Sequence, residues 1–400
     1  MTQTAGLPPL ALYVHFPWCV SKCPYCDFNS HAVRETLPEA RYIAALLADL
    51  EAEIAADARL AAGSREVVSV FLGGGTPSLF SPEAIATLLE GARRRLPFAA
   101  DVEVTLEANP GTIERGRFAG YAAAGINRVS LGAQSFDAAA LRRLGRIHDP
   151  DDTRRAAQEL HAAGLANFNL DLMYALPGQS VAQALADIEQ ALALQPAHLS
   201  HYHLTLEAGT PFAARPPADL PPDDTVESML EAALARLDAA GFVRYEISAW
   251  ARSGRRCRHN LNYWRFGDYL GIGAGAHGKL SSFDAATGGG ALQIQRSLRL
   301  REPRRYLSQQ PAAVTRTAVT PAQRPFEFML NALRLVEGVE TGLYERRVGS
   351  GLEELAPSLR RLTERGLLVD PATGRLGATA AGLRFLNDLL VEFLPEETGT

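Results

Sequence analysis

Between residues 10 and 206 short apolar runs alternate six times with helix-patterned stretches, and no other feature limits the fold as tightly. Strands are expected at 10–16, 66–72, 102–106, 128–131, 168–173 and 198–206. Helical stretches are expected at 38–62, from about 82, and at 112–124, 137–144, 151–163 and 181–194. The first shows the reasoning: Pro38 suits an opening turn, Tyr42, Leu46, Leu47, Leu50 and Ile54 recur at helical spacing, and Gly63 stops the run. Runs such as Val67-Val68-Ser69-Val70-Phe71-Leu72 lack polar alternation, as strands of a parallel sheet covered on both faces do. Six strand–helix units predict an α/β fold, a partial (βα)6 barrel open on one side. Its site should lie at the C-terminal ends of the strands.

The residues that bear chemistry fall at those ends. Tyr13-Val14-His15-Phe16-Pro17-Trp18-Cys19-Val20-Ser21-Lys22-Cys23-Pro24-Tyr25-Cys26 follows the first strand and holds three of the chain's four cysteines, spaced C-x3-C-x2-C. Three thiols cannot pair off as disulfides, and thiolates suit a soft metal centre. A [4Fe–4S] cluster normally takes four thiolates, so three would leave one iron open to a small chelate such as an amino acid's amine and carboxylate. A Cys3His zinc site using His15 or His31, and scattered structural thiols, are the competing readings. Gly73-Gly74-Gly75-Thr76-Pro77 ends the second strand, where glycines admit a ligand close to the backbone or simply make a tight turn. Glu107 ends the third strand, Gln134 the fourth, and Asp171 lies in the fifth. Each alone would be an ordinary polar residue; one barrel mouth gathers them.

Composition sets the outer bounds. The net charge of −5, from 40 basic and 45 acidic side chains, gives no global attraction to nucleic acid or anionic lipid. No apolar run is long enough to span a membrane and the first nine residues do not read as a signal peptide, so any membrane contact is expected to be peripheral. Unpaired clustered cysteines fit a reducing, cytoplasmic setting. A proline-rich break at 215–222 divides the expected barrel, 1–215, from a middle α/β extension, 216–319. The extension should hold a helix at 225–240, a strand at 243–247, a motif-bearing loop and the Gly271-to-Gly278 string. Residues 320–400 read as helices at 327–335 and 351–365, a hairpin from 366–369 and 375–376, and a last helix from Thr379, a winged-helix-like module. Its basic cluster, Arg360, Arg361 and Arg365, lies among acids, so a packing role is favoured over DNA binding.

At Cys19, Cys23 and Cys26 the chain resembles the radical S-adenosylmethionine (SAM) superfamily, whose cluster holds SAM at its open iron and cleaves it to a 5′-deoxyadenosyl radical. The Tyr-x-His-x-Pro-x-Cys, Gly-Gly-Gly-Thr-Pro, Ser-Leu-Gly-x-Gln and Asp-Leu-x-Tyr-x-Leu-Pro-Gly-Gln segments are similar to oxygen-independent coproporphyrinogen III oxidases from about residue 10 to 390. The resemblance implies that Tyr13, Gly74 and Glu107 touch the cluster-bound SAM. It implies a second SAM contact set of Tyr25, Gly75, Thr76, Gln134, Arg146 and Asp171. Two departures matter: Phe28 stands where the oxidases have a further cysteine, and the cysteine loop is reached by residue 19 with no long N-terminal cover. His259-Asn260-Leu261-Asn262-Tyr263-Trp264 instead matches the H-N-x-x-Y-W motif of HemW-type haem chaperones. That resemblance implies haem binding, transfer to acceptor proteins, no oxidase activity and a cluster-dependent homodimer. An imidazole can ligate haem iron and aromatics suit a porphyrin face, so His259 is the expected ligand, with Tyr263 and Trp264 as its wall. His277 and Cys257 are the reserves. A coproporphyrinogen oxidase is the alternative function.

Overall fold

The computed structural model describes residues 6–111, 116–283 and 291–395. The six expected strands form as β1 (Leu10–Phe16), β2 (Val67–Gly74), β3 (Phe98–Ala108), β4 (Arg128–Gln134), β5 (Phe168–Tyr174) and β6 (His198–His203). They pair in sequence order and in parallel throughout. Among the helices between them are α1 (Glu39–Ala56), α2 (Pro82–Arg93), α3 (Phe118–Ala123), α4 (Ala138–Arg143), α5 (Pro150–Ala162) and α6 (Val181–Ala193). The first residues of the helix expected at 112–124, 112–115, lie outside the described residues; α3 is its later part. The starts are fixed locally: Asp149 and Ser180 each form a capping box ahead of α5 and α6, satisfying amides that a helix end leaves free. The main core is the buried strand faces, such as Val14, Leu72, Leu106 and Leu131, with the inner faces of α1, α2 and α5.

The sheet does not end with β6. After α7 (Asp223–Ala239), β7 (Val243–Glu246) and β8 (Ala249–Ala251) add antiparallel to β6 at one edge. At the other edge β9 (Asp268–Ile272) pairs in parallel with β1, and β10 (His277–Phe283), β11 (Leu292–Arg299) and β12 (Val314–Ala318) continue antiparallel. The result is one mixed sheet of twelve strands, ordered β12-β11-β10-β9-β1-β2-β3-β4-β5-β6-β8-β7. Residues 216–319, expected as an extension beyond the barrel, thus supply both edges of its sheet. Buried Arg299 on β11 fastens that addition to α1, donating to Asp49 Oδ1 at 2.8 Å and Glu53 Oε1 at 2.6 Å.

Between β8 and β9 the H-N-x-x-Y-W segment is a short helix, α8 (Arg258–Trp264), where a loop was expected. Glu103 on β3 holds its start, accepting from the amide of Arg258 at 2.8 Å. A carboxylate at a helix N-terminus satisfies free N–H groups and the helix dipole together.

The C-terminal part has its own core, around Phe328, Met329, Leu333, Tyr344, Leu362, Leu376 and Leu389. Its helices include α9 (Arg324–Ala332), α10 (Thr341–Val348) and α11 (Ala356–Glu364). The expected hairpin is rearranged. Arg375–Leu376 pairs antiparallel with Val339–Glu340, ahead of α10, while Leu368 makes a single bridge to Ala378. A turn at Pro371–Thr373, ending on left-handed Gly374, carries Leu376 into contact range of Val339, and both are buried.

Candidate functional site: two adjoining cavities at the barrel mouth

The C-terminal ends of β1 to β6 surround a cavity of about 240 Å³. Cys19, Cys23 and Cys26 line it, together with Tyr25, Gly74, Gly75, Thr76, Glu107, Gln134, Arg146 and Asp171. Eleven of the fifteen residues expected in the site from sequence therefore meet here. The cysteine loop is tied to the next strand end through its backbone, Gly75 N–H donating to Phe16 O and Thr76 N–H to Trp18 O, each at 2.7 Å. A Cβ at Gly75 would stand 2.5 Å from Trp18 O, so only glycine permits this approach.

All three thiols are free and half-buried. Burial pushes the Cys19 and Cys26 thiols up, partly offset by hydrogen bonding from Thr76 to the first and from the Phe28 backbone to the second. Arg146 Nη1 lies 3.5 Å from Cys23 Sγ and its Nη2 donates to Gly132 O at 3.2 Å, so a cation stands beside the sulfurs. Among the described residues no three His, Cys, Asp or Glu side chains converge on a single ion position. Neither histidine of the zinc reading is placed to help. His15 is buried with both nitrogens engaged, Nδ1 with Tyr13 OH at 2.9 Å and Nε2 with Asn29 O at 2.8 Å, and His31 lines a different groove.

The rest of the lining carries hydrogen-bonding groups with spare capacity. Gln134 Oε1 and Arg146 Nε are buried without a partner, and Gln134 sits at φ +59°, a left-handed conformation that is strained for a non-glycine residue. Asp171 accepts from Ser130 Oγ at 3.0 Å and Asn169 Nδ2 at 2.8 Å, while burial raises its pKa. Glu107 Oε2 accepts from Gly74 N–H at 3.0 Å. Burial, with Asp171 adding repulsion, pushes Glu107 up to about 7.

A second cavity, of about 480 Å³, adjoins the first and shares Phe28, Gly74 and Glu107 with it. Tyr13, His259, Tyr263 and His277 are here, with Tyr269, Asn29 and Arg301. His259 is buried, its ring 4.9 Å from that of Phe71 and its Nδ1 3.3 Å from Ser69 Oγ, which leaves Nε2 as the nitrogen for any ligand. Burial, reinforced by Arg128, lowers its pKa to about 3, so the imidazole is neutral. Two expectations are corrected. Trp264 does not line this cavity: on α8, His259 and Tyr263 are four residues apart and share a face, whereas Trp264 turns toward the C-terminal core, where Arg334 lies 4.3 Å over its ring. Cys257 is fully buried below, its thiol 3.5 Å from Glu103 Oε1 and pushed up to about 12 by burial, with no access to either cavity.

Several lining residues had not been singled out. Asn109, which donates to Thr76 Oγ1 at 2.9 Å, and Tyr202 both lie in strand-end segments, so the strand-end rule could have found them. Asn29 carried no such signal. It reaches the Gly-rich segment only in three dimensions, donating to Ala274 O and Arg301 O at 2.9 Å each, with Gly275 leaving it room.

The sequence has the radical SAM superfamily pattern over residues 13–191 and that of the HemN C-terminal domain over 319–385. It is 47% identical to the heme chaperone HemW of Escherichia coli (strain K12) over 390 residues, covering 98% of this chain and 99% of that one. The chain belongs to the HemW family. The heme chaperone HemW of Haemophilus influenzae is 46% identical over 391 residues, with the same coverage. In fold, the chain superposes on Escherichia coli coproporphyrinogen III oxidase, HemN, a radical SAM enzyme, with a TM-score of 0.78 over 97% of this chain and 90% of that one, at 24% identity. HemW-family membership thus rests on sequence along the whole chain, and the oxidase shares the architecture: a radical SAM barrel with a C-terminal helical module. The second cavity lies where that barrel meets α8, the helix carrying the H-N-x-x-Y-W motif.

Proposed function

We propose that this chain is a haem chaperone: it holds a [4Fe–4S] cluster and SAM in the first cavity, carries haem in the second, and passes the haem to acceptor proteins. The observation that carries the reading is the pair of adjoining cavities, one lined by three thiols and the other by a neutral imidazole among tyrosines.

The residues present fit each group. Three thiols that line one cavity, with neither His15 nor His31 placed to complete a zinc set, suit three corners of a cubane. The unpartnered Gln134 Oε1 and the acceptor oxygens of Glu107 and Asp171 suit the ammonium and ribose hydroxyls of SAM. Tyr13 reaches the same partition from the second cavity, its hydroxyl held by His15. When bound, the cluster would supply an electron to SAM. The chain's part is to hold the thiols on one loop, keep Arg146 beside Cys23, and orient Glu107 through the Gly74 amide.

In the second cavity His259 Nε2 would ligate the haem iron, with Tyr13, Tyr263 and Tyr269 against the porphyrin and Arg301 near its carboxylates. His277, exposed at the same space, is the reserve ligand. No helix among the described residues is long and apolar enough to cross a membrane, so contact with membrane-bound acceptors would be peripheral. Free thiols and an oxygen-sensitive cluster favour the cytoplasm, and a cluster-dependent homodimer would bring two such sites together.

The fold likeness to the oxidase makes coproporphyrinogen III the decisive rival ligand. Phe28, more than half exposed at the partition between the cavities, fills the position where the oxidases have a cysteine. Anaerobically reconstituted protein should bind haem and release it to an apo-acceptor, while coproporphyrinogen III supplied with SAM and a reductant is not converted to protoporphyrinogen. Conversion at enzyme-like turnover would replace the chaperone reading with the oxidase one.

A further inference from the structure

At the end of the barrel away from the cysteines lies a cleft of about 650 Å³ that no part of this reading uses. Its walls are the starts of β1 and β2 (Pro9 and Val68), α8, and the beginning of the C-terminal module around Val339 and α10. Arginines dominate the lining. Arg258, Arg265, Arg346, Arg347 and Arg375 face two glutamates, Glu337 and Glu340, an excess of three positive charges.

The ion pairs show which cations are left over. Arg256, from outside the cleft, takes Glu337, with Nη1 2.9 Å from Oε2. Glu340 lies 3.6 Å from Arg346, and Arg258 pairs with Asp101 at 2.8 Å. Arg375 spends its donors on the carbonyls of Glu337 and Gly338. Among the described residues Arg265 and Arg347 have no carboxylate within ion-pair distance and no hydrogen bond from their guanidinium groups. Arg265 is exposed, but Arg347 is partly enclosed and its Nε is buried with no partner. Burial lowers its pKa to about 10; Asp268 opposes that shift, and Arg346 and Arg65 add to it.

A surface arginine left in water needs no partner, but one withdrawn from water beside other cations does. We propose that this cleft binds a phosphate-bearing anion, with Arg347 and Arg265 as its principal cations. Guanidinium groups present paired N–H donors in the plane that phosphate oxygens accept, and several can share one phosphate group. Val68, Leu261 and Leu343 add apolar lining to the same cleft, which suits a ligand with an organic portion next to its phosphate. Such a phosphate could belong to a soluble compound or to a lipid headgroup.

Full-length, cluster-loaded protein is titrated calorimetrically with pyrophosphate at low salt, and in parallel floated with phosphatidylglycerol vesicles. The expected result is saturable binding of pyrophosphate that weakens at least tenfold in Arg347→Gln and in Arg265→Gln. Arg94→Gln, which removes an exposed cation just after α2, should bind as wild type does. If Arg347→Gln loosens the fold, the exposed Arg265→Gln carries the test alone. Flotation that pyrophosphate competes away assigns the phosphate to a lipid; binding without flotation assigns it to a soluble compound. Absence of binding to both probes, or binding that neither variant weakens, overturns the proposal.

Discussion

Cys19, Cys23 and Cys26 line one cavity beside Arg146, while Cys257 is sealed below α8 with Glu103. Position therefore separates them more sharply than residue type. Replacing any one of the first three by serine should abolish iron–sulfur absorbance, whereas Cys257→Ser should keep about four irons per chain, read by iron and labile-sulfide analysis. Glu107 supplies a second residue-scale prediction. Its pKa in the fold is about 7, above its ordinary value, so the native carboxyl keeps a proton that the unfolded chain gives up. That contribution is fully present below about pH 4.5 and is lost as pH rises toward 7. Relative to wild type, Glu107→Gln in the ligand-free protein should therefore gain stability across that window, on the order of 1–3 kcal/mol, read as Tm against pH. His201 and His259 act in the opposite direction. Both are held near 3 by burial, so the unfolded chain binds protons below about pH 6.5 that the fold refuses, and stability falls as pH drops from there. The first cavity was largely legible because Gly74, Glu107, Gln134 and Asp171 sit on successive strands, and strand ends can be read from one sequence. The second was legible only in part: the resemblance pointed to Tyr13, His259 and Tyr263, but Asn29, Tyr269 and Arg301 meet only when β9 pairs with β1 across some 250 positions.

At the scale of elements, the six parallel strands formed where apolar runs were read, with β3 starting earlier than expected, at Phe98. The H-N-x-x-Y-W helix was missed for a physical reason. It has only seven residues, and its stability comes from Glu103 at its start and from packing against β1, β2 and β9, not from its own sequence. Once it is a helix, the fate of Trp264 follows, since that side chain cannot share a face with both His259 and Tyr263. The join between α1 and β11 is equally hidden in sequence, because Arg299 lies some 250 positions from Asp49 and Glu53. Removing the cation leaves Asp49 buried with only neutral donors, from Tyr306 and the Gly273 amide, and leaves Glu53 with Arg316 as its remaining cation. Arg299→Ala should cost about 3–5 kcal/mol of stability, measured by denaturant unfolding of the ligand-free protein. A much smaller loss would mean that the carboxylates are protonated, or find other partners, in the variant.

At the scale of the whole molecule, one sheet of twelve strands joins the barrel to its later additions, so the two cavities are built on a common frame. Phe28, Gly74 and Glu107 form the wall between them. A haem held in the second cavity would lie next to the cluster and SAM. The most direct measurement is a haem titration of anaerobically reconstituted wild type and His259→Ala, following the Soret band together with iron–sulfur content. His259→Ala should bind haem more weakly and with a shifted Soret maximum while its cluster stays intact. Superimposable titrations would rule out His259 as the ligand, leaving the motif helix a purely structural element and moving the haem ligand to His277 or outside this cavity.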